Sequence, residues 1–321
     1  MSQTITRTIR LSPADNVVVA RAALRADTRV EEEGLTTIEA IDPGHKVATQ
    51  PIKKGDTIRK YDQIIGIAES DIRPGEHVHT HNLRMDDFDR DYRFSESVRE
   101  LDFVKPEGAA TFQGIVRSDG RVGTRNYIGI LTSVNCSATV ARHVARRFEK
   151  DIMAEFPNVD GVVALTHDHG CGGCAGIGLN YIQRTLSGYS THPNFYAVVI
   201  IGLGCEANQI GAMMDAEKLN PSDKLHAYTI QDSGGSAAAA ERGEGLIREL
   251  LSDANRAERT TRPTSDLILA LECGGSDGYS GISANPALGA AADLLVLNGG
   301  TACLGETPAV SYTHLSCRRI D

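Results

Sequence analysis

The sequence predicts an α/β protein with two parts: a small β-rich N-terminal domain, then a mostly parallel α/β domain. Three observations carry this. Residues 13–84 hold many short strand-like runs between close turns. From residue 111 onward, continuous apolar strands alternate with helical patterns. Between them, 85–110 is dense in charge, poor in aliphatic residues and without period, as a linker is.

In the first part, Asn16-Val-Val-Val-Ala20, Val47-Ala-Thr49, Thr57-Ile-Arg59, Ile64-Ile-Gly-Ile67 and His77-Val-His-Thr-His81 read as strands. Asp42-Pro-Gly44, Lys54-Gly-Asp56 and Arg73-Pro-Gly75 supply the turns. In the second part, strands at 127–131, 161–165, 196–201, 226–230 and 267–271 alternate with helices near 137–150, 175–187, 207–217 and 236–251. Uninterrupted apolar strands belong to a parallel sheet covered on both faces, so 111–260 is expected to be Rossmann-like. A further α/β segment starts over 261–309. Residues 310–321 fit no preceding period and read as a non-native tail, so His314 and Cys317 enter no site. The chain is expected to stop before its fold is complete, leaving residues 1–321 alone inactive and poorly stable.

Of the 321 residues, 41% are hydrophobic and 23% charged, with a net charge of −9. That balance suits a buried core and argues against nucleic acid as a partner, which needs a basic surface. No apolar run approaches the roughly 20 residues of a membrane helix, and the polar N-terminus carries no secretory h-region, so a cytoplasmic protein is expected. Seven scattered cysteines do not make a secreted disulfide framework.

In open parallel sheets, ligands bind beyond the carboxyl ends of the strands. Those ends carry Asn135-Cys136, His167-Asp-His-Gly-Cys171, Gly204-Cys205-Glu206 and Glu272-Cys-Gly-Gly-Ser-Asp277. A single cysteine is ordinarily a small buried residue, as Cys174 and Cys303 are taken to be. Cys136, Cys171, Cys205 and Cys273, each at a turn of this edge, point instead to a shared site. Two loops could bind anions. One is Asp119-Gly-Arg-Val-Gly-Thr-Arg-Asn126, with two arginines suited to carboxylates, although a solvated hairpin reads equally well. The other is Ser233-Gly-Gly-Ser236 at a helix start, alternatively a plain glycine-rich cap. No Walker motif occurs, and no GxGxxG opens the first βα unit, which disfavours nucleotides. His77, His79 and His81 are expected on one strand face, with a metal or catalytic role.

Several motifs together resemble the altronate/galactarate dehydratase family. They are Gly44-His-Lys46, Gly75-Glu-His-Val-His-Thr-His-Asn82, Gly120-Arg-Val-Gly-Thr-Arg-Asn126, Ile201-Gly-Leu-Gly-Cys-Glu206, Glu272-Cys-Gly-Gly-Ser-Asp277 and Ser280-Gly-Ile-Ser-Ala-Asn-Pro286, followed by Gly299-Gly-Thr301 and Glu306-Thr-Pro308. The resemblance covers about residues 13–309, and the first domain, 13–84, looks like the SAF domain that opens these enzymes. The His77–Asn82 string is closer to the altronate branch, whereas His169 stands where both branches usually carry tyrosine. The resemblance implies dehydration of a hexonate or hexarate to a 2-keto-3-deoxy acid with Fe²⁺, Mn²⁺ or another divalent metal. It implies His167, His79, His81 and Lys46 as catalytic residues, and Arg121, Arg125, Asn126 and Asp277 as substrate-binding residues. Cys136, His167, Cys171, Cys205 and Cys273 are the implied metal ligands, with an iron–sulfur cluster on the four cysteines as an alternative. The expected partner is a small sugar acid; a homo-oligomer stays open. A C–S lyase acting on a sulfonated hydroxy acid such as sulfolactate, and a binding fragment without activity, are the competing readings.

Overall fold

Val17–Ala20 is buried at all four positions, because the side chains of one strand feed two cores. Val17 packs with Ala48, Ile52, Ile58, Ile65 and Val78, and Val18 with Leu24, Ile41 and Val47 on the opposite face. This explains an apolar run where a one-sided sheet would alternate. The computed structural model describes residues 6–85, 98, 100–172, 176–272 and 279–305. The chain divides into two compact units, Met1–Gly108 with Leu267–Asp321, and Ala109–Asp266. Residues 86–97 and 99 of the expected linker lie outside the described residues, as do Cys174, Cys273, Asp277 and the tail 310–321.

The N-terminal region is β-rich, as expected. Thr8–Ile9, Val17–Ala20, Lys46–Ala48 and His77–Val78 form an antiparallel sheet in that order. Thr57–Lys60, Gln63–Ala68 and Leu83–Arg84 form a second one. One strand is shorter than its pattern suggests. His77–Val78 ends after two residues, because buried Asn82 curls the chain into a turn. Its Oδ1 accepts the His79 N–H at 3.0 Å, and its Nδ2 donates to the His77 carbonyl at 2.9 Å. His77, His79 and His81 therefore do not share one strand face.

In the second unit, β1 (Tyr127–Thr132), β2 (Gly161–Leu165), β3 (Phe195–Gly202) and β4 (Leu225–Thr229) make a parallel sheet of order β2-β1-β3-β4. Helices α1 (Ala138–Arg146), α2 (Ile177–Ser190), α3 (Ile210–Ala216) and α4 (Ser236–Ala254) follow the four strands. Ile128, Ile130, Val199 and Ile201 pack against Val144 of α1 and Ile247 and Leu251 of α4. Leu131, Val198 and Ile200 pack against Leu186 of α2 and Met213 of α3. The sheet is doubly wound, but its order differs from the 3-2-1-4 core of the Rossmann arrangement, and its switch point falls between β1 and β3. The loop 117–121 joins antiparallel strands Thr111–Val116 and Val122–Gly123 as a hairpin. Ile268–Leu271 and Thr301–Leu304 pair in parallel beside the helix Ala284–Leu297. No described helix is long and apolar enough to cross a membrane.

Helix α4 carries an internal glycine with a packing reason. A Cβ on Gly243 would stand 2.5 Å from the Tyr228 hydroxyl and 3.2 Å from Val144 Cγ2. That hydroxyl is held in place by donating to the Ala239 carbonyl at 2.9 Å. Gly→Ala inside a helix ordinarily stabilises by about 1 kcal/mol. Here Gly243→Ala is expected to destabilise by about 1–3 kcal/mol through overpacking, read by denaturant unfolding. The double variant with Tyr228→Phe, which removes the obstructing oxygen, is expected to recover most of the loss.

Candidate functional site

At the switch point the ends of β1 and β3 are tied together by one carboxylate. Buried Glu206 accepts the Ser133 hydroxyl at 2.6 Å and the backbone N–H groups of Leu203 and Gly204 at 3.1 and 2.6 Å. Burial opposes its ionisation, but these hydrogen bonds outweigh it, so its carboxyl titrates below the usual range. Gly202 leaves the room: a Cβ there would lie 2.5 Å from the Glu206 carboxylate. The loop after β2 is stitched to both neighbours. Asn135 N–H donates to the His169 carbonyl at 2.9 Å, and Ala207 N–H to the Cys171 carbonyl at 2.8 Å. Ser133, His167, His169, Cys171, Glu206 and Asn208 line a small recess there.

The tautomer of His167 follows from its partners. Its Nε2 lies 3.0 Å from the Thr132 carbonyl, which only accepts, so Nε2 carries the proton. Its Nδ1 lone pair accepts the His169 N–H at a long 3.3 Å. Burial lowers the pKa of the ring, with the Thr132 contact opposing. The result is a neutral imidazole with one basic atom, Nδ1.

Cys136, Cys171 and Cys205 stand at this same edge as exposed free thiols. Thus four of the expected metal ligands, counting His167, share the carboxyl ends of β1, β2 and β3; Cys273 lies outside the described residues. Fit to a metal is another matter. Among the described residues no group of three or more His, Cys, Asp or Glu is placed so that its donors converge on a metal, and Nε2 of His167 is spent on the Thr132 carbonyl. No mechanistic step is therefore routed through a metal on this edge. The Ser233–Ser236 loop opens α4 with Gly234 and Gly235 at positive φ, and the Ser233 hydroxyl is spent on the Thr229 carbonyl. That is a glycine-rich cap.

The expected substrate residues sit elsewhere. Arg121, Arg125 and Asn126 precede β1, so six strand residues, roughly 20 Å, separate them from Cys136. Arg121 pairs with Asp119 at 2.7 Å and Arg125 with Asp160 at 3.1 Å. Asn126 is fully buried and structural: its Nδ2 donates to the carbonyls of Asn158 and Ala254, at 2.7 and 2.9 Å. Arg125 and Asn126 therefore do not stand beside His167. They flank the amino end of the strand whose carboxyl end faces His167.

In the first unit, the Asn82 turn gathers His77 and His79 around His45, with His81 beside His77, next to fully buried Lys46. His45 Nδ1 and His77 Nε2 are 2.8 Å apart. Burial, helped by neighbouring His45 and Lys46, brings the pKa of His77 and of His79 down to about 4. His45 is lowered too, by burial and then Lys46, with Asp42 opposing. Sequence reasoning missed His45, Ser133 and Glu206. The usable signals were an imidazole directly ahead of a strand that pairs with the His77 strand, and a carboxylate four residues after a strand-end glycine.

Three family models match successive stretches of the chain. Residues 6–86 match the altronate/galactarate dehydratase SAF domain, 114–255 the D-galactarate dehydratase/altronate hydrolase second domain, and 264–320 the D-galactarate/altronate dehydratase C-terminal domain. The chain is 36% identical to altronate dehydratase of Escherichia coli over 94% of its own length and 60% of the relative's. It is 35% identical to galactarate dehydratase (L-threo-forming) of the same organism, over 94% of this chain and 59% of that one. The beta subunit of (2R)-sulfolactate sulfo-lyase from Chromohalobacter salexigens is 32% identical, over only 61% of this chain and 46% of its own. The chain thus spans about 60% of the length of the two dehydratases. With its successive domain matches and this similarity running nearly end to end, the chain belongs to the altronate/galactarate dehydratase family.

Proposed function

We propose that the protein is a hydro-lyase that removes water from a sugar acid, an altronate-type hexonate or a galactarate-type hexarate, giving a 2-keto-3-deoxy acid. The observation that carries this reading is the similarity to altronate and galactarate dehydratases over 94% of the chain. The crevice supplies matching chemistry. Nδ1 of His167, neutral and weakly engaged, takes the proton α to the substrate carboxylate. The C–H electrons form the C=C bond, the β-C–O bond breaks, and the departing hydroxide takes the proton that His167 had accepted and leaves as water. The enol then tautomerises to the 2-keto acid. Ser133 and Glu206 keep the two loops in register around His167.

The test is anaerobic incubation with Fe²⁺ and altronate, galactarate or sulfolactate. It uses a version of the chain carried to the full length of its dehydratase relatives, alongside residues 1–321. Keto acid from altronate or galactarate is the expected product. Sulfite from sulfolactate would identify the C–S lyase instead. Saturable binding of a hexonate without keto acid would identify a binding module.

A further inference from the structure

We propose that the imidazoles of His45, His77 and His79 form a binding site for one borderline divalent transition ion, distinct from the cysteine-bearing crevice. Their ring centroids stand 5.0 Å (His45–His77), 5.1 Å (His45–His79) and 5.3 Å (His77–His79) apart, close to an equilateral triangle. Three imidazoles on one tetrahedral ion, with metal–nitrogen bonds of about 2.0–2.1 Å, place their centroids about 5.2 Å apart. Cis positions of an octahedron would draw them to about 4.5 Å, further from the spacing found here.

A second observation comes from His79. Its Nε2 is buried without a hydrogen-bond partner, while its Nδ1 meets Thr80 Oγ1 at 3.0 Å. The hydroxyl can accept from Nδ1–H, and in that tautomer Nε2 is a bare lone pair, the arrangement of a ligating histidine. A buried polar atom left unsatisfied costs stability, and a bound cation removes that cost. The backbone beneath is fixed. Lys46 pairs with Val78 and Val47 with His77, which brings His45 beside His77, and Asn82 closes the turn holding His79.

Loading requires a small rearrangement. As placed, no three donors converge, and His45 Nδ1 and His77 Nε2 bond each other at 2.8 Å. Two nitrogens on a tetrahedral ion lie about 3.4 Å apart, so that hydrogen bond opens by about 0.6 Å and is exchanged for two coordinate bonds. The near-parallel His45 and His79 rings, 12° apart, also require one of them to turn about its Cβ–Cγ bond. The charge around the cluster is mixed: buried Lys46 weakens affinity for a dication, and Asp42 partly offsets it. All-imidazole donors favour Zn²⁺, Fe²⁺, Co²⁺ or Ni²⁺ over Mg²⁺ and Ca²⁺. Exposed His81, 5.4 Å from His77, is near enough to serve as a fourth ligand.

The probe is Co²⁺, titrated into chelator-stripped residues 1–321. One equivalent is expected to give the intense visible bands of a tetrahedral site, with no near-ultraviolet thiolate-to-cobalt charge transfer. His79→Gln and His77→Asn should each weaken Co²⁺ binding at least tenfold and remove those bands, while Cys136→Ser and Cys205→Ser leave them unchanged. Circular dichroism identifies any variant that fails to fold, and the wild-type spectrum decides alone if both do. Absence of a saturable site, thiolate charge transfer at the first equivalent, or bands that survive in both folded histidine variants would overturn the proposal. Keto-acid formation is not read, so this outcome and that of the dehydratase assay fail independently.

Discussion

His167→Asn is expected to lower kcat for keto-acid formation by roughly 10²–10⁴, the range for loss of a positioned general base. The substitution leaves a non-basic amide near the position of Nδ1, the one basic atom of the ring, and gives up the Nε2 donation to the Thr132 carbonyl, which the companion variant His167→Gln can keep. Asymmetry between the two nitrogens is therefore the core of the prediction. KM should move little, because the lost interaction belongs to the proton transfer. The pH profile gives a second readout. A base acts in its neutral form, so kcat falls as pH drops through the His167 pKa. Burial holds that pKa below the ordinary imidazole value, so wild-type activity should persist somewhat below pH ~6.5. An Asn variant with full kcat, or one whose acid limb is unchanged, would remove His167 from the role of base.

Asn126→Leu is expected to destabilise the second unit by about 3–5 kcal/mol, without changing turnover per folded molecule. The buried amide donates to the Asn158 and Ala254 carbonyls and accepts from the Arg117 guanidinium at 3.1 Å. Leucine has similar bulk and makes none of these three hydrogen bonds; the Asn158 carbonyl loses its partner, while the Ala254 carbonyl keeps the Ala257 N–H and Arg117 keeps the Pro193 and Arg125 carbonyls. An orphaned buried carbonyl costs about 1–3 kcal/mol, and each further lost hydrogen bond adds about 1 kcal/mol. Arg125→Ala, which removes only a largely exposed pair with Asp160, should cost about 0–1 kcal/mol. Denaturant unfolding of the two variants side by side measures the contrast. Equal, small effects would show that Asn126 is not the anchor its contacts describe.

These two residues show how far the chain could be read before it was folded. The parallel strands and their four helices were legible because both faces of the sheet are covered. Continuous apolar strands and 3.6-residue helices are then the only pattern that buries them, as the match of Tyr127–Thr132, Phe195–Gly202 and Ser236–Ala254 to their runs shows. The edge that bears Cys136, His167, Cys171 and Cys205 was legible for the same reason. In a parallel sheet every strand ends at one side, so residues just past the apolar runs share an edge whatever the strand order. The N-terminal part was readable as β-rich, from short runs and turn pairs.

By itself, then, the sequence determined the class of each domain, the carboxyl edge where the thiols and His167 stand, and membership of a dehydratase family. Strand order, the two ends of β1 and the imidazole cluster were decided only by tertiary structure. Whether two polar residues meet depends on contacts across long separations in the chain, which no local period records. Arg125 and Asn126 are near β1 in sequence, yet six residues at 3.3 Å per residue carry them away from His167. His45 and His79 are far apart in sequence, yet strand pairing and one asparagine turn set their rings 5.1 Å apart. Local propensity is a one-dimensional signal, whereas a site is a three-dimensional coincidence assembled by hydrogen bonds and burial.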